Sequence, residues 1–254
     1  MGSTDKSILF REPDTLLMQR EHHKWYSEHL GREMEMLVFG HAGTPVLVFP
    51  TSMGKFFEYE DRGMIDVLGE KLHNGVMQLY CVDSVDEEAL YNNTVHPRVR
   101  IARHVQYEDY IRHEVLALIA KKNPGQRIMT HGCSFGAYHA MNFALRNPEQ
   151  VKGCVTMGGA FDIKKFLDGY YDEDCYFHNP PDYIKSLSDP WHLERYRGNK
   201  YILVTGEGDI CVDKNQEFAA LLQAKGIPHH LFVWGNGSHH DWDWWLKMAD
   251  VYLP

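Results

Sequence analysis

An α/β architecture, a mostly parallel central sheet with helices on both faces, is predicted by three features of this sequence. Short β-type runs alternate with longer helical stretches along most of the chain. Several of the strand candidates are apolar throughout, as strands covered on both faces must be. The 254 residues, 44% apolar and 24% charged, suit one domain with a sizeable core, and no repeat or low-complexity tract divides them.

Residues 34–39 (MEMLVF) and 45–49 (PVLVF) read as strands, the second a near-continuous apolar run closed by Pro50. Residues 61–73 place Met64, Ile65, Leu68 and Leu72 at helical spacing and lead into the strand candidate Val76–Val82. Across 107–121, Tyr107, Tyr110, Ile111, Val115, Leu118 and Ile119 share one face, and Asn123-Pro124-Gly125 stops that helix. Arg127–Thr130 is a short strand, and Gly136–Leu145 a helix ended by Asn147-Pro148. Val151–Met157 and Tyr201–Thr205 are apolar enough to be buried strands. Lys214–Lys225 is a helix closed by Gly226, His230–Trp234 the last strand and Asp241–Val251 the last helix. Residues 164–198 break the rhythm with five tyrosines, Asn179-Pro180-Pro181 and Asp189-Pro190. They read as an insertion over one end of the sheet, a cap within a single domain spanning 1–254; a lid and plain surface packing are both open.

Charge and cysteine usage exclude several classes of function. The net charge of −9 and the lack of any basic run longer than two disfavour nucleic acid. Mean hydropathy is −0.43, and no window approaches the roughly 18 apolar residues of a membrane span. Residues 1–14 lack the apolar stretch of a secretory leader, which points to the cytoplasm. The five cysteines (Cys81, Cys133, Cys154, Cys175, Cys211) are odd in number and form no CxxC, so free thiols are expected. Sixteen histidines include three adjacent pairs but no HExxH, and they read as solvated or hydrogen-bonded side chains with no metal.

The chemistry centres on Gly132-Cys133-Ser134-Phe135-Gly136. A bare GxSxG is weak, but this one follows a short strand and opens an Ala-rich helix, the setting of the nucleophile elbow of α/β-hydrolases. The glycines leave room for a tight turn, and Ser134 then stands at a helix N-terminus, where backbone N–H groups favour a developing oxyanion. A serine hydroxyl needs a base and a group to orient that base, which in this fold follow in the order Ser, acid, His. Asp209, in Gly206-Glu207-Gly208-Asp209, follows the strand Tyr201–Thr205; Glu207 and Asp213 are its rivals. His240 follows the last strand, with His239 as a rival that strand alternation alone does not exclude. The oxyanion donors are the backbone N–H of Phe135 and one from Pro50-Thr51-Ser52-Met53-Gly54, Ser52 first and Met53 second. Cys133 reads as a buried structural thiol, and Trp242, Trp244 and Trp245 as packing residues. Phe56, Phe57, Tyr170, Tyr171 and Trp191 either line an aromatic mouth or simply pack the insertion.

The segments VLVFPTSMGKFFEYEDRGMID (46–66), LYCVDSVD (79–86), GCSFGAYHAMNFALRNP (132–148), FLDGYYDEDCYFHNPPDYIKSLSDPW (166–191), GEGDIC (206–211) and HDWDWW (240–245) carry a resemblance over nearly the whole chain. They resemble the "putative esterase" branch of the α/β-hydrolases, related to S-formylglutathione hydrolases and mycolyltransferases. The resemblance implies His240 as the base, because the family's histidine stands directly before an Asp-Trp or Ser-Trp pair, and it implies Asp209 as the acid. The expected function is a serine esterase working through Ser134, His240 and Asp209 and an acyl-enzyme, without metal or cofactor. The same triad would serve an acyltransferase, and a non-catalytic binding module on this fold is the remaining alternative. The expected partners are a small-molecule ester and, at most, further copies of this chain.

Overall fold

A computed structural model describes residues 19–254; the leader reading of residues 1–14 lies outside them. Eight strands form one sheet in the order β1-β2-β4-β3-β5-β6-β7-β8. They are β1 (Arg20–Ser27), β2 (Arg32–Phe39), β3 (Thr44–Phe49), β4 (Met77–Val82), β5 (Ile128–Cys133), β6 (Val151–Met157), β7 (Lys200–Gly206) and β8 (His229–Trp234). β1 runs antiparallel to β2, and β2 to β4; every later pairing is parallel. The parallel strands therefore deliver their C-terminal ends to one edge of the sheet, where loops can gather a site.

Two cores follow from helices on both faces. On one face the helices Pro97–Tyr110, Phe135–Arg146 and Val212–Ala224 bury Tyr107, Met141 and Phe218 against Leu47, Tyr80 and Leu203. On the other, Tyr59, Met64, Leu72, Trp245 and Met248 cover Val46, Leu79, Val155 and Val204. No helix among the described residues is long and apolar enough to cross a membrane. All five cysteines are free.

Most of the strands and the last three long helices fall within a few residues of their expected bounds, and the departures have physical causes. The helix expected over 61–73 is three short pieces, Glu58–Asp61, Met64–Val67 and Gly69–His73, broken first at Gly63, which takes a φ of +77°, and again at Leu68. The helix expected over 107–121 begins ten residues earlier, at Pro97, and runs to Lys122 through a π turn at Ile111–Val115. Its first half is hidden from periodicity because its inward face carries polar side chains: Arg100, His104 and Glu108 are buried. Burial works against the Glu108 carboxylate, but His178 at 3.1 Å and the guanidinium of Arg146 hold its pKa far below the usual range. β1 has no apolar alternation; its exposed side is Arg20, His22, Lys24 and Tyr26, and the charges of Arg20 and Lys24 blunt the sheet edge.

The stretch 164–198 folds as a 3-10 turn, Lys164–Phe166, and three helices, Glu173–Phe177, Pro180–Ser186 and Pro190–Arg197, placed between β6 and β7. Asp172 and Asp189 cap two of these helices by accepting from Cys175 N and from Trp191 N and His192 N. Its beginning packs Ile163, Phe166 and Leu167 against Phe135 and Tyr138 beside the elbow. Its end leads to the start of β7 and lies at the opposite edge of the sheet. There the guanidinium of Arg195 sits 3.7 Å over Trp191 and pairs with Glu149 just before β6.

Candidate active site

Ser134 follows β5, Asp209 follows β7, His240 follows β8, and the turn 50–54 follows β3. The parallel register thus gathers four loops at one edge. Ser134 takes φ 55° and ψ −120°, a sparsely populated backbone conformation held by its N–H donating to Met157 O at 2.8 Å. The flanking glycines are sterically required. A β-carbon on Gly132 would lie 2.3 Å from the backbone of Gly136, and one on Gly136 would lie 2.4 Å from the carbonyl oxygen of Phe49. The same contact seats the start of the helix Phe135–Arg146 against the end of β3, which brings the turn 50–54 beside Ser134.

His240 links the other two side chains. Its Nε2 is 2.9 Å from Ser134 Oγ, and its Nδ1 is 2.8 Å from Asp209 Oδ1. A proton on Nδ1, donated to the carboxylate, leaves the Nε2 lone pair facing the serine hydroxyl. Burial penalises the imidazolium, but the hydrogen bond and charge of Asp209, with Cys211 adding to them, outweigh burial and raise His240 to about 9. Asp209 is only 3% exposed; its Oδ1 also accepts from Cys211 N at 2.7 Å, and its Oδ2 has no partner among the described residues. Trp245 packs its ring edge-on to His240 with centroids 4.9 Å apart, so this tryptophan is both core and a brace for the imidazole.

The rivals lie elsewhere. His239 is exposed and packs over Gly208, where a β-carbon would come within 2.6 Å of its Nδ1. Glu207 is exposed and accepts from Gly237 N at 2.7 Å, tying the loop that precedes His240. Asp213 is exposed in the first turn of the helix Val212–Ala224. Of the two candidates for the one donor expected in the 50–54 turn, Met53 is a correction: its N–H is spent on Asp86 Oδ2 at 2.9 Å. No acceptor among the described residues takes the N–H of Ser52 or of Phe135.

The five aromatics, for which a mouth and plain packing both stood open, do not all lie together. Phe57 and Tyr171 are exposed, Phe56 stacks on His22, and Tyr170 meets His96 edge-on. Trp191 is at the far edge of the sheet, with Arg195 and Glu149. Cys133 is fully buried between Tyr59 and Met157, and burial pushes its thiol pKa well up, as suits a structural residue.

The model of the family described as "Putative esterase" matches residues 102–249, more than half of the chain. The chain belongs to that family. Ester hydrolysis by a serine hydrolase is the activity this membership carries. Solved structures with the same fold include a ferulic acid esterase at 16% identity, covering 93% of this chain and 97% of that one, with a TM-score of 0.75. An S-formylglutathione hydrolase from Agrobacterium tumefaciens is 16% identical, covers 93% of each chain and has a TM-score of 0.73. MPT51 (FbpC1) of Mycobacterium tuberculosis is 12% identical, covers 92% of this chain and 96% of that one, and has a TM-score of 0.69. No curated protein matches the chain.

Several residues of this esterase's site are invisible to sequence reasoning. Asp86, buried after β4, joins the 50–54 turn to the elbow helix: one oxygen takes Met53 N and the other lies 3.0 Å from His139 Nε2. Tyr91 bridges the same two parts, with its hydroxyl 2.6 Å from Ser52 Oγ and its ring edge-on to Phe135 at 5.1 Å. Gly158, at φ +58°, leaves the space that Asp209 and His240 occupy. Asp86 lies in the segment 79–86 that carries the family resemblance; Tyr91 and Gly158 have no local signal. Among the described residues, the one grouping of three metal-type ligands is Asp209, Cys211 and His240.

Proposed function

We propose that this esterase cleaves small carboxylic esters through a Ser134–His240–Asp209 triad and an acyl-enzyme intermediate. The supporting observation is the continuous relay from Ser134 Oγ to His240 Nε2 at 2.9 Å and from Nδ1 to Asp209 at 2.8 Å. His240 takes the Ser134 proton as Oγ attacks the ester carbonyl, then returns it to the leaving alcohol. Asp209 holds the tautomer and stabilises the imidazolium. Water activated by the same nitrogen then releases the acid. The N–H groups of Phe135 and Ser52 are the proposed oxyanion donors, in a turn that Asp86 and Tyr91 keep from shifting. Five free thiols suit a reducing compartment, so the cytoplasm is the proposed place of action.

The reading is tested by p-nitrophenyl acetate hydrolysis across neutral and alkaline pH. Only neutral His240 serves as base, and its raised pKa keeps it protonated above the ordinary histidine range. The value of kcat/KM is therefore expected to climb with pH until it levels off above about 9. Asp209→Asn removes the charge that raises the pKa, so the limb is expected to move to lower pH while the plateau falls. Absence of turnover at every pH, or a profile flat through this range, would overturn the proposal.

A further inference from the structure

Cys211 is the one cysteine of the five that is not buried, and the catalytic relay does not use its thiol. Its sulfur, a carboxylate oxygen of Asp209 and a ring nitrogen of His240 all lie within 4.8 Å of one another. A thiol, an imidazole and a carboxylate are the ligand types that Zn2+ takes, and ligands sharing one tetrahedral ion sit about 3.3–3.8 Å apart. Closing the gap needs shifts of about 1 Å. A second observation points to a ligand as well: Asp209 Oδ2 is buried and without a partner, an oxygen that a bound cation would satisfy.

We propose that Asp209, Cys211 and His240 form an inhibitory site for a thiophilic divalent cation, of which Zn2+ is the probe, and that its occupancy stops ester hydrolysis. The inhibitory half of this inference rests on the reading of His240 as the base. As the sulfur–metal bond forms, the Cys211 thiol gives its proton to the buffer, and the ion takes one imidazole lone pair. Bound at Nε2, the ion occupies the lone pair that faces Ser134. Bound at Nδ1, it sends that nitrogen's proton to Nε2, by way of solvent. In both cases no lone pair is left to accept the serine proton. A hard ion such as Mg2+ has no preference for a thiolate and is expected to leave the rate unchanged.

The test uses full-length protein and two readouts. Zn2+ titrated into wild type during p-nitrophenyl acetate hydrolysis is expected to inhibit, with reversal by EDTA. Cys211→Ala and Cys211→Ser are expected to need about tenfold more Zn2+ or beyond for half-inhibition, each measured against its own uninhibited rate. Separately, Co2+ titrated into Ser134→Ala is expected to give a thiolate-to-cobalt absorption band at one ion per chain. The band should be absent from Ser134→Ala carrying Cys211→Ala as well. This second readout needs no activity, so it stands or falls apart from the triad assignment. Equal Zn2+ sensitivity in wild type and both Cys211 variants, or no thiolate band in the parent, would overturn the site.

Discussion

Ser134→Ala is expected to lower kcat/KM for short aryl esters by about 10⁴-fold or more, and His240→Ala to do the same. Both remove the covalent route, one by deleting the nucleophile and the other by leaving its proton without an acceptor. Because the two groups act as a unit, the double variant is expected to be no slower than either single one. His239→Ala is the contrast. That side chain faces solvent over Gly208, and its loss is expected to leave the rate near wild type. Thermal unfolding should barely change in Ser134→Ala, since alanine at φ 55° bears the same backbone strain as serine. Steady-state kinetics on wild type and the four variants, with a melting curve for each, check the pattern. Substantial turnover in Ser134→Ala, or loss in His239→Ala with retention in His240→Ala, would contradict the triad.

The second large effect is expected from a residue with no side chain. Gly158 follows β6 at φ +58°, and a β-carbon there would lie 2.7 Å from Asp209 Oδ2 and 2.9 Å from His240 Nδ1. Such contacts cannot stand, so in Gly158→Ala either the carboxylate and the imidazole move or the loop does. The left-handed backbone adds a cost of about 1–2 kcal/mol for alanine. A displacement of about 1 Å in a catalytic group costs on the order of 10²-fold in rate. Gly158→Ala is therefore expected to lose about 10²-fold in kcat with little change in KM, together with a modest drop in melting temperature. Full activity in a folded Gly158→Ala protein would mean that Asp209 and His240 are not held against this position.

What the sequence revealed and what it hid divide along physical lines. Apolar strands buried on both faces, such as Val151–Met157, announce themselves because nothing polar is tolerated there. The elbow and the order Ser134, Asp209, His240 were legible because the turn demands glycine at two fixed offsets and the strands demand the sequence of loops. The choice of His240 over His239 needed the family resemblance; the structure separates them by facing one inward and the other to solvent. The buried polar face of the helix Pro97–Tyr110 defeated periodicity, because Arg100, His104 and Glu108 find their partners in residues distant in sequence. Asp86, Tyr91 and Gly158 were hidden for a related reason. Each acts across the gap between two loops, and no pattern within one segment records such a contact. Met53 shows the limit from the other side: which N–H groups of the 50–54 turn are free depends on Asp86, 33 residues from Met53.

The covalent intermediate gives the most direct measurement. Wild-type protein quenched in acid during the first turnover of p-nitrophenyl acetate, then digested and read by mass spectrometry, is expected to carry one acetyl group on the peptide containing Ser134. In His240→Ala under the same quench, that peptide is expected to be unmodified. An acetyl group on any other residue, or wild-type peptides unmodified while ester is being consumed, would contradict the assignment of Ser134 as the nucleophile.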